Sequence, residues 1–450
     1  MEEKVKQPLF TNKQLAALII PIIIEQTLAV TVGMADTMMV AGAGEEAVSG
    51  ISLVNQMNML LIQVFSAMAA GGTVVVSQFL GRRDYPQTKS TAIQLLWFVF
   101  AISFTLAVVT LTLNQPILQL IYGHIEPGVM AAARTYFYLT AVSFPFLAIY
   151  NVSASLFRVM GNSKISMYTS FVMNVINIVG NAIFIFGLQI GVAGAGLATL
   201  LSRAAAAVFI TMLLLKKSCP VSIWGFWKPK FSRKILLAIM RMGIPNGIEG
   251  GMYKVGKLLV SRLVSSFGTA SITANAIAGD LDSMITLTAQ SIGISMLTVV
   301  GQSVGARDRE NAKRYTYRLL GLSYIGLNLM SLIVFLLKPT LIGMYGMSAE
   351  INGITNVVIN YFMITAAFFW PLSFALPNAL HGAGDARFTM IVSMTSMWLC
   401  RIVAAHILGG WLGLGLLGVY IGMSLDWLVR GTCFLLRVRG RKWLNLRVID

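Results

Sequence analysis

The chain has 450 residues, of which 56% are hydrophobic and only 11% are charged, and its formal net charge is +17. A soluble protein of this length could not bury that much apolar surface, so the composition excludes a water-soluble fold and indicates a membrane protein. The apolar runs are continuous over about 20 residues instead of alternating in period two, which excludes a spanning β-barrel and predicts helices.

Hydropathy predicts twelve transmembrane helices, an even number that puts both termini on one side of the membrane. The predicted spans are 14–41, 50–79, 92–114, 131–157, 166–188, 192–215, 235–265, 275–303, 316–338, 352–380, 388–409 and 413–436. Lys and Arg concentrate in the loops on the side of the termini, so the positive-inside rule makes that side the cytoplasm of a multi-pass protein in the plasma (inner) membrane. The excess positive charge is therefore a topology signal and an attraction to the lipid bilayer, and no nucleic-acid partner is expected.

The sequence repeats itself. "VVSQFLGRRD" at 75–84 returns as "VVGQSVGARD" at 299–308, and "GNSK" at 161–164 returns as "GDAR" at 384–387. Each half of the repeat holds six predicted spans, so both halves enter the membrane in the same direction. Their pseudo-two-fold axis then runs along the membrane normal, with a cavity between the halves.

The repeat predicts three parts, namely an N-terminal six-helix lobe at 1–215, a basic cytoplasmic linker at 216–234 and a C-terminal lobe with a basic tail at 235–450. Two parallel six-helix lobes are typical of transporters, and a receptor or scaffold without transport is the rival class. The sequence has no phosphate-binding glycine loop, metal-spaced cluster or nucleophile elbow. We therefore expect no enzyme activity, no nucleotide partner, no cofactor, and a secondary transporter that works as a monomer.

Asp36 lies near the outer end of the first span, where a carboxylate is costly unless something compensates it. Counting about 1.5 Å per helical residue places Asn177 and Asn181 of span five and Thr199 of span six at a similar depth. A carboxylate, two amides and a hydroxyl suit a hard cation such as Na⁺, and burial of Asp36 among apolar neighbours would alternatively favour proton uptake. The alternative role for the asparagines is simple hydrogen bonding between helices. Pro21 is a candidate hinge or a static kink in the same span.

Other polar residues inside the spans are candidates for a substrate cavity, and the alternative for each is a structural contact between helices. They are Glu25, Gln56, Glu249, Asp280 and Asp282. Lys254, Lys257 and Arg262 lie at a depth similar to the two aspartates and are predicted salt-bridge partners for them. Arg401 and Asp426 are predicted to form an internal pair, and the isolated His381 and His406 are expected to be structural.

Several motifs together resemble the multidrug and toxic compound extrusion (MATE) family over essentially the whole chain. They are "ADTMMVAGAG" in span one, the repeated "Q-x-x-G-x-R-D", "NIVGN" in span five and "GVAGAGLAT" entering span six. The resemblance implies an all-α polytopic membrane protein with two pseudo-symmetric six-helix lobes around a central V-shaped cavity. It also implies alternating-access export of cationic or amphipathic organic compounds in exchange for Na⁺ or H⁺.

The resemblance makes Asp36 the coupling carboxylate and gives Asn177 and Thr199 to a nearby cation site. The family has a carboxylate four residues after that asparagine, whereas this chain has Asn181. Some members use a second cation site with acids in spans seven and ten, and span ten has no intramembrane acid here. A flippase or exporter of lipid-linked or anionic metabolites, from the same superfamily, is the alternative function, and it needs unpaired cationic side chains that face a cavity.

Overall fold

The computed structural model describes residues 9–41, 44–123, 126–216, 219–227, 229–446 and 448, and every regular element in this part of the chain is helical. The chain forms two compact units. One unit is Asn12–Gly247, and the other joins Ile248–Asp450 to the described part of Met1–Thr11. The division falls inside residues 235–265, the span predicted to be the first of the second lobe.

The first unit contains seven complete helices and the start of an eighth within the described residues. They are α1 (Asn12–Ala41), α2 (Glu45–Gly81), α3 (Tyr85–Thr112), α4 (Asn114–Tyr122), α5 (Pro127–Val159), α6 (Ser163–Asn181), α7 (Gly191–Leu214) and the start of α8 (Arg233–Ser265). Helix α5 packs against α2, α3 and α7, and α6 packs against α1 and α7. This places α5 at the centre of the unit, which explains why many of its side chains are buried.

The second unit contains the rest of α8 and seven further helices. They are α9 (Thr269–Gly305), α10 (Arg309–Gly343), α11 (Ala349–Trp370), α12 (Leu376–Ala383), α13 (Ala386–Ser396), α14 (Val403–Ala405) and α15 (Gly415–Arg439). Helix α9 packs against α10, α11 and α12, and α15 packs against α11. Stacked and edge-to-face aromatic rings, among them Phe362, Phe374 and Trp427, fill the core between these helices.

Eleven helices in the described residues are long and apolar enough to cross a membrane. The one predicted span missing from these eleven is the seventh, 235–265, which corresponds to α8, a continuous helix of 33 described residues with a low mean hydropathy. Charged side chains recur along α8, among them Arg241, Glu249 and Lys257, so this helix needs polar partners if it is to lie in lipid. The fold is therefore that of an all-helical, multi-pass membrane protein.

The repeated "G-x-R-D" motif builds the same turn in both units. Arg83 and Arg307 both have a left-handed backbone, with φ of 61° and 56°. The aspartate that follows each of them caps the next helix, since Asp84 accepts from the backbone N–H of Gln87 and Asp308 accepts from that of Asn311. Because a capping aspartate satisfies a backbone donor at a helix start, the motif fixes where α3 and α10 begin.

Candidate functional site

The structure brings Asp36 and Asn181 together. The Asn181 side-chain amide donates a hydrogen bond to Asp36 Oδ1, joining α1 to the last residue of α6. Asn181 is fully buried, while Asp36 is partly exposed. The carboxylate of Asp36 is thus held by a neutral donor and stays partly exposed.

Helices α6 and α7 approach closely beside this contact. A Cβ at Gly180 would lie 2.9 Å from Ala198 Cβ, so glycine permits the approach. Directly after Asn181 the chain enters a wide, π-helical turn, Ala182–Gly187. Such turns are frequent at functional sites because they free backbone groups and redirect the helix.

Thr199 lies on α7 beside the same cluster. Its hydroxyl donates to the Ala195 carbonyl at 2.9 Å, and the phenol of the buried Tyr136 contacts Thr199 and Asn55. Asn177 lies one turn before Asn181, and its side chain forms no hydrogen bond among the described residues. The structure therefore brings together Asp36, Asn181 and Thr199. Asn177 lies next to them, without a side-chain hydrogen bond among the described residues.

The sequence reasoning missed a cation in this cluster, Arg203 of α7. Its Nη1 donates to Ser143 Oγ at 2.7 Å, and its charge interacts with Asp36. Arg203 lies four residues after Thr199, so the two share a helix face, and this spacing was the signal that could have found it. The carboxylate of Asp36 therefore has a permanent counter-charge in the same unit.

The residues around Asp36 offer ligands to a small cation. Asn181 Oδ1 is buried and has no hydrogen-bond partner among the described residues, so it is a free amide oxygen next to a carboxylate. Oxygen ligands of this kind suit hard cations. No cluster of three or more His, Cys, Asp or Glu side chains is found in the described part of the chain.

Glu25 is joined to two other helices of the first unit. Arg158 Nη2 lies 2.6 Å from Glu25 Oε1, and Ser166 Oγ donates to Glu25 Oε2 at 2.6 Å. Glu25 is only 5% exposed. Pro21, the candidate hinge, lies four residues before Glu25 inside α1. The contacts of Glu25 therefore bind α1 to α5 and α6 one turn after the proline.

Glu249 has an equivalent environment in the second unit. His381 Nε2 lies 3.3 Å from Glu249 Oε2 and 2.6 Å from Thr389 Oγ1, while Ser393 Oγ donates to Glu249 Oε1 at 2.7 Å. His381 is therefore not isolated, because it lies within ion-pair distance of Glu249. Gln56, by contrast, lies on the exposed surface of α2.

Asp280 and Asp282 of α9 line a cavity of about 370 Å³ inside the second unit, together with Lys257 and Arg401. The Tyr345 hydroxyl donates to Asp280 at 3.0 Å. Within the described part of the chain, no ion pair joins a carboxylate to Lys254, Lys257 or Arg262, so the predicted salt bridges of these three cations do not form. The cavity thus presents charges of both signs.

The predicted pair of Arg401 and Asp426 is confirmed, and a second arginine joins it. Arg401 Nε lies 3.2 Å from Asp426 Oδ2, and Arg430 Nη2 lies 3.0 Å from the same oxygen. Asp426 is completely buried, and the guanidinium groups lie over the rings of Tyr253 and Phe374. This network has a net charge of +1, which the nearby Asp282 can balance.

These features define a polytopic helical transporter, with an ionisable cluster in its first unit and a charged cavity in its second. The MatE family model matches the chain twice, at residues 21–183 and 245–407, so the second match begins 224 residues after the first, as the internal repeat does. The chain belongs to the MatE family, the multidrug and toxic compound extrusion transporters.

Individual relatives resemble the chain over nearly its full length. It is 27% identical to an uncharacterized transporter, YisQ of Bacillus subtilis, over 98% of this chain and 97% of that protein. It is also 27% identical to a probable multidrug resistance protein, NorM of Thermotoga maritima, over 97% of this chain and 94% of the relative. An outward-facing structure of a multidrug resistance MATE family transporter has the same fold, with a TM-score of 0.88 at 20% identity over 95% of each chain.

Proposed function

We propose that this transporter exports cationic or amphipathic organic compounds in exchange for Na⁺ or H⁺, with Asp36 as the coupling carboxylate. The observation that carries the proposal is the position of Asp36, a partly exposed carboxylate near the end of α1. Its side chain is bound by Asn181 and interacts with the charge of Arg203. Relatives named as probable multidrug resistance proteins support the substrate class. The proposed location is the plasma membrane, with both termini cytoplasmic.

The contacts of α1 suggest how ion binding would be converted into movement. Proton or Na⁺ binding neutralises Asp36, which weakens its attraction to Arg203 and changes what the Asn181 amide can donate to. Glu25 lies eleven residues before Asp36, roughly 16 Å along the helix, and remains fastened to Arg158. The outer part of α1 can then rearrange about the segment that contains Pro21 and Glu25, and this would favour one access state over the other.

A second candidate function is export of anionic or lipid-linked compounds, and the unpaired cations favour it. Lys257 lines the charged cavity of the second unit, and Lys254 lies close enough for the two positive charges to interact. Neighbouring cations that form no direct ion pair among the described residues are suited to phosphate or carboxylate groups. Asp280 and Asp282 line the same cavity, however, and this mixed charge makes cationic or amphipathic substrates the first choice.

Ethidium efflux from proteoliposomes tests the proposal. A proton gradient and a sodium gradient are imposed in separate runs on the native chain, Asp36→Asn and the matched control Glu45→Gln, which removes an exposed carboxylate at the start of α2. We expect one gradient to drive efflux, Asp36→Asn to abolish it and the control to keep it. Full activity of Asp36→Asn contradicts the coupling role, and efflux of an anionic dye alone supports the second candidate.

A further inference from the structure

The linker between the predicted lobes, residues 216–234, is held against α7 and α3 by hydrogen bonds in its described part. Ile223 N–H donates to the Leu214 carbonyl at 3.1 Å, which ties it to the end of α7. Trp97 Nε1 donates to the Phe226 carbonyl at 2.9 Å, and Ser232 N–H donates to Gln94 Oε1 at 2.8 Å, which ties it to α3. These hydrogen bonds hold the described part of the linker in a defined position on the first unit.

An apolar slot of about 200 Å³ lies beneath this linker. It is lined by Leu96, Trp97, Phe100, Ile149, Thr211, Ile223 and Phe226. Thr211 contributes the single hydroxyl, and its Oγ1 has no hydrogen-bond partner among the described residues. Apolar cavities of this size hold apolar groups in preference to water, so a hydrocarbon chain suits the slot.

The opposite face of the linker is aromatic and exposed. Val221 and Ile223 point inward and are buried, whereas Trp224, Trp227 and Phe231 are 54%, 76% and 58% exposed. Tryptophan side chains with this exposure are characteristic of the membrane–water interface, where an apolar ring sits beside polar headgroups. The linker therefore faces the interface and not only the aqueous cytoplasm.

The charge of the segment is of one sign. Residues 216–234 contain six Lys and Arg and no Asp or Glu, and Lys217 and Lys228 lie outside the described residues. The four described cations are exposed, and they are Lys216, Lys230, Arg233 and Lys234. A group of cations beside interfacial tryptophans attracts anionic lipid headgroups.

We propose that this surface is a binding site for one anionic phospholipid, with an acyl chain in the slot and its headgroup on the exposed cations. The slot and the cations are close along the chain, since Ile223 lies seven residues after Lys216 and Phe226 lies four residues before Lys230. One lipid can therefore reach both the slot and the cations. The site is independent of the coupling ion and of the transported substrate. It binds a lipid molecule at a fixed place on the first unit, which distinguishes it from the general lipid contact of any span.

Native mass spectrometry of the purified chain tests the site, with phosphatidylglycerol and phosphatidylcholine of identical chains added in equal amounts. We expect retention of phosphatidylglycerol about tenfold above phosphatidylcholine at low salt, because several cations contribute at an anionic surface. The charge variant replaces Lys216, Lys230, Arg233 and Lys234 by Gln. Its matched control replaces Arg309, Lys313, Arg314 and Arg318, four exposed cations of α10, by Gln.

The charge variant should lose the preference and the control should keep it. Trp227→Ala, at an exposed position, should reduce retention of both lipids, and Thr211→Leu should do the same by filling the slot. Equal retention of the two lipids by the native chain overturns the proposal. An equal loss in the α10 control also overturns it, because it would show that general charge, and not this site, retains the lipid.

Discussion

Arg158 and His381 occupy equivalent places in the two units. In each case one nitrogen touches both a carboxylate near the start of the unit and a hydroxyl further along the chain. Arg158 Nη2 contacts Glu25 and Ser166, and His381 Nε2 contacts Glu249 and Thr389. The repeat thus preserves a three-part polar contact, with an arginine at its centre in the first unit and a histidine in the second.

Loss of Arg158 should strongly destabilise the first unit. Arg158→Met leaves Glu25 charged, buried and without its cation, a change that costs about 3–5 kcal/mol in buried pairs. The double variant Glu25→Gln, Arg158→Met removes both charges and should recover most of that loss. The measurement is the free energy of unfolding in detergent, taken as a double-mutant cycle, and simple additivity of the two single variants would contradict a coupled pair.

The equivalent position in the second unit should accept arginine. His381→Ala removes the nitrogen that lies 3.3 Å from Glu249 Oε2. This change should cost about 1–3 kcal/mol of unfolding free energy, because a buried carboxylate oxygen loses its polar partner. His381→Arg should cost less than the alanine variant, because arginine fills this place in the first unit. The measurement is the thermal unfolding of His381→Ala and His381→Arg under the same conditions. Equal destabilisation would show that Arg158 and His381 share a position in the repeat but not a role in stability.

Depth counting along the helices was sufficient to predict that Asp36, Asn181 and Thr199 lie near one another. It could not predict Arg203, because a single arginine in an alanine-rich span hardly changes hydropathy, and because its partner depends on how α7 is rotated. Arg158 was also missed, since it lies one residue beyond the predicted span 131–157, although it aligns with His381 in the repeat. The depth of a side chain follows from its position along a helix. Its hydrogen-bond and ion-pair partners depend on how each helix is rotated and packed, which cannot be read from one sequence.

Labelling of Cys219 should reveal the orientation of the chain. This thiol lies in the linker, and partial burial raises its pKa above the usual range, with Lys216 opposing the effect. Since the thiolate is the reactive form, a raised pKa predicts slow maleimide labelling near neutral pH and faster labelling as the pH rises. In oriented vesicles, a membrane-impermeant maleimide should reach Cys219 only from the cytoplasmic side, with Cys219→Ser as the control. Labelling from the outside would reverse the predicted topology.

Replacement of Asn181 by Asp should create a tighter sodium site. The new carboxylate would lie against Asp36, and two neighbouring carboxylates cannot both remain charged unless a cation or proton binds. With a dissociation constant near 1 mM, 100 mM Na⁺ would stabilise Asn181→Asp by roughly 2–3 kcal/mol over choline chloride. The comparison is thermal unfolding in the two salts. The double variant Asp36→Asn, Asn181→Asp keeps a single carboxylate and should lose this stabilisation, because one charge alone does not require a bridging cation. A sodium response of Asn181→Asp no larger than that of the native chain would show that Asp36 and residue 181 do not share an ion, and that their hydrogen bond serves only to join α1 to α6.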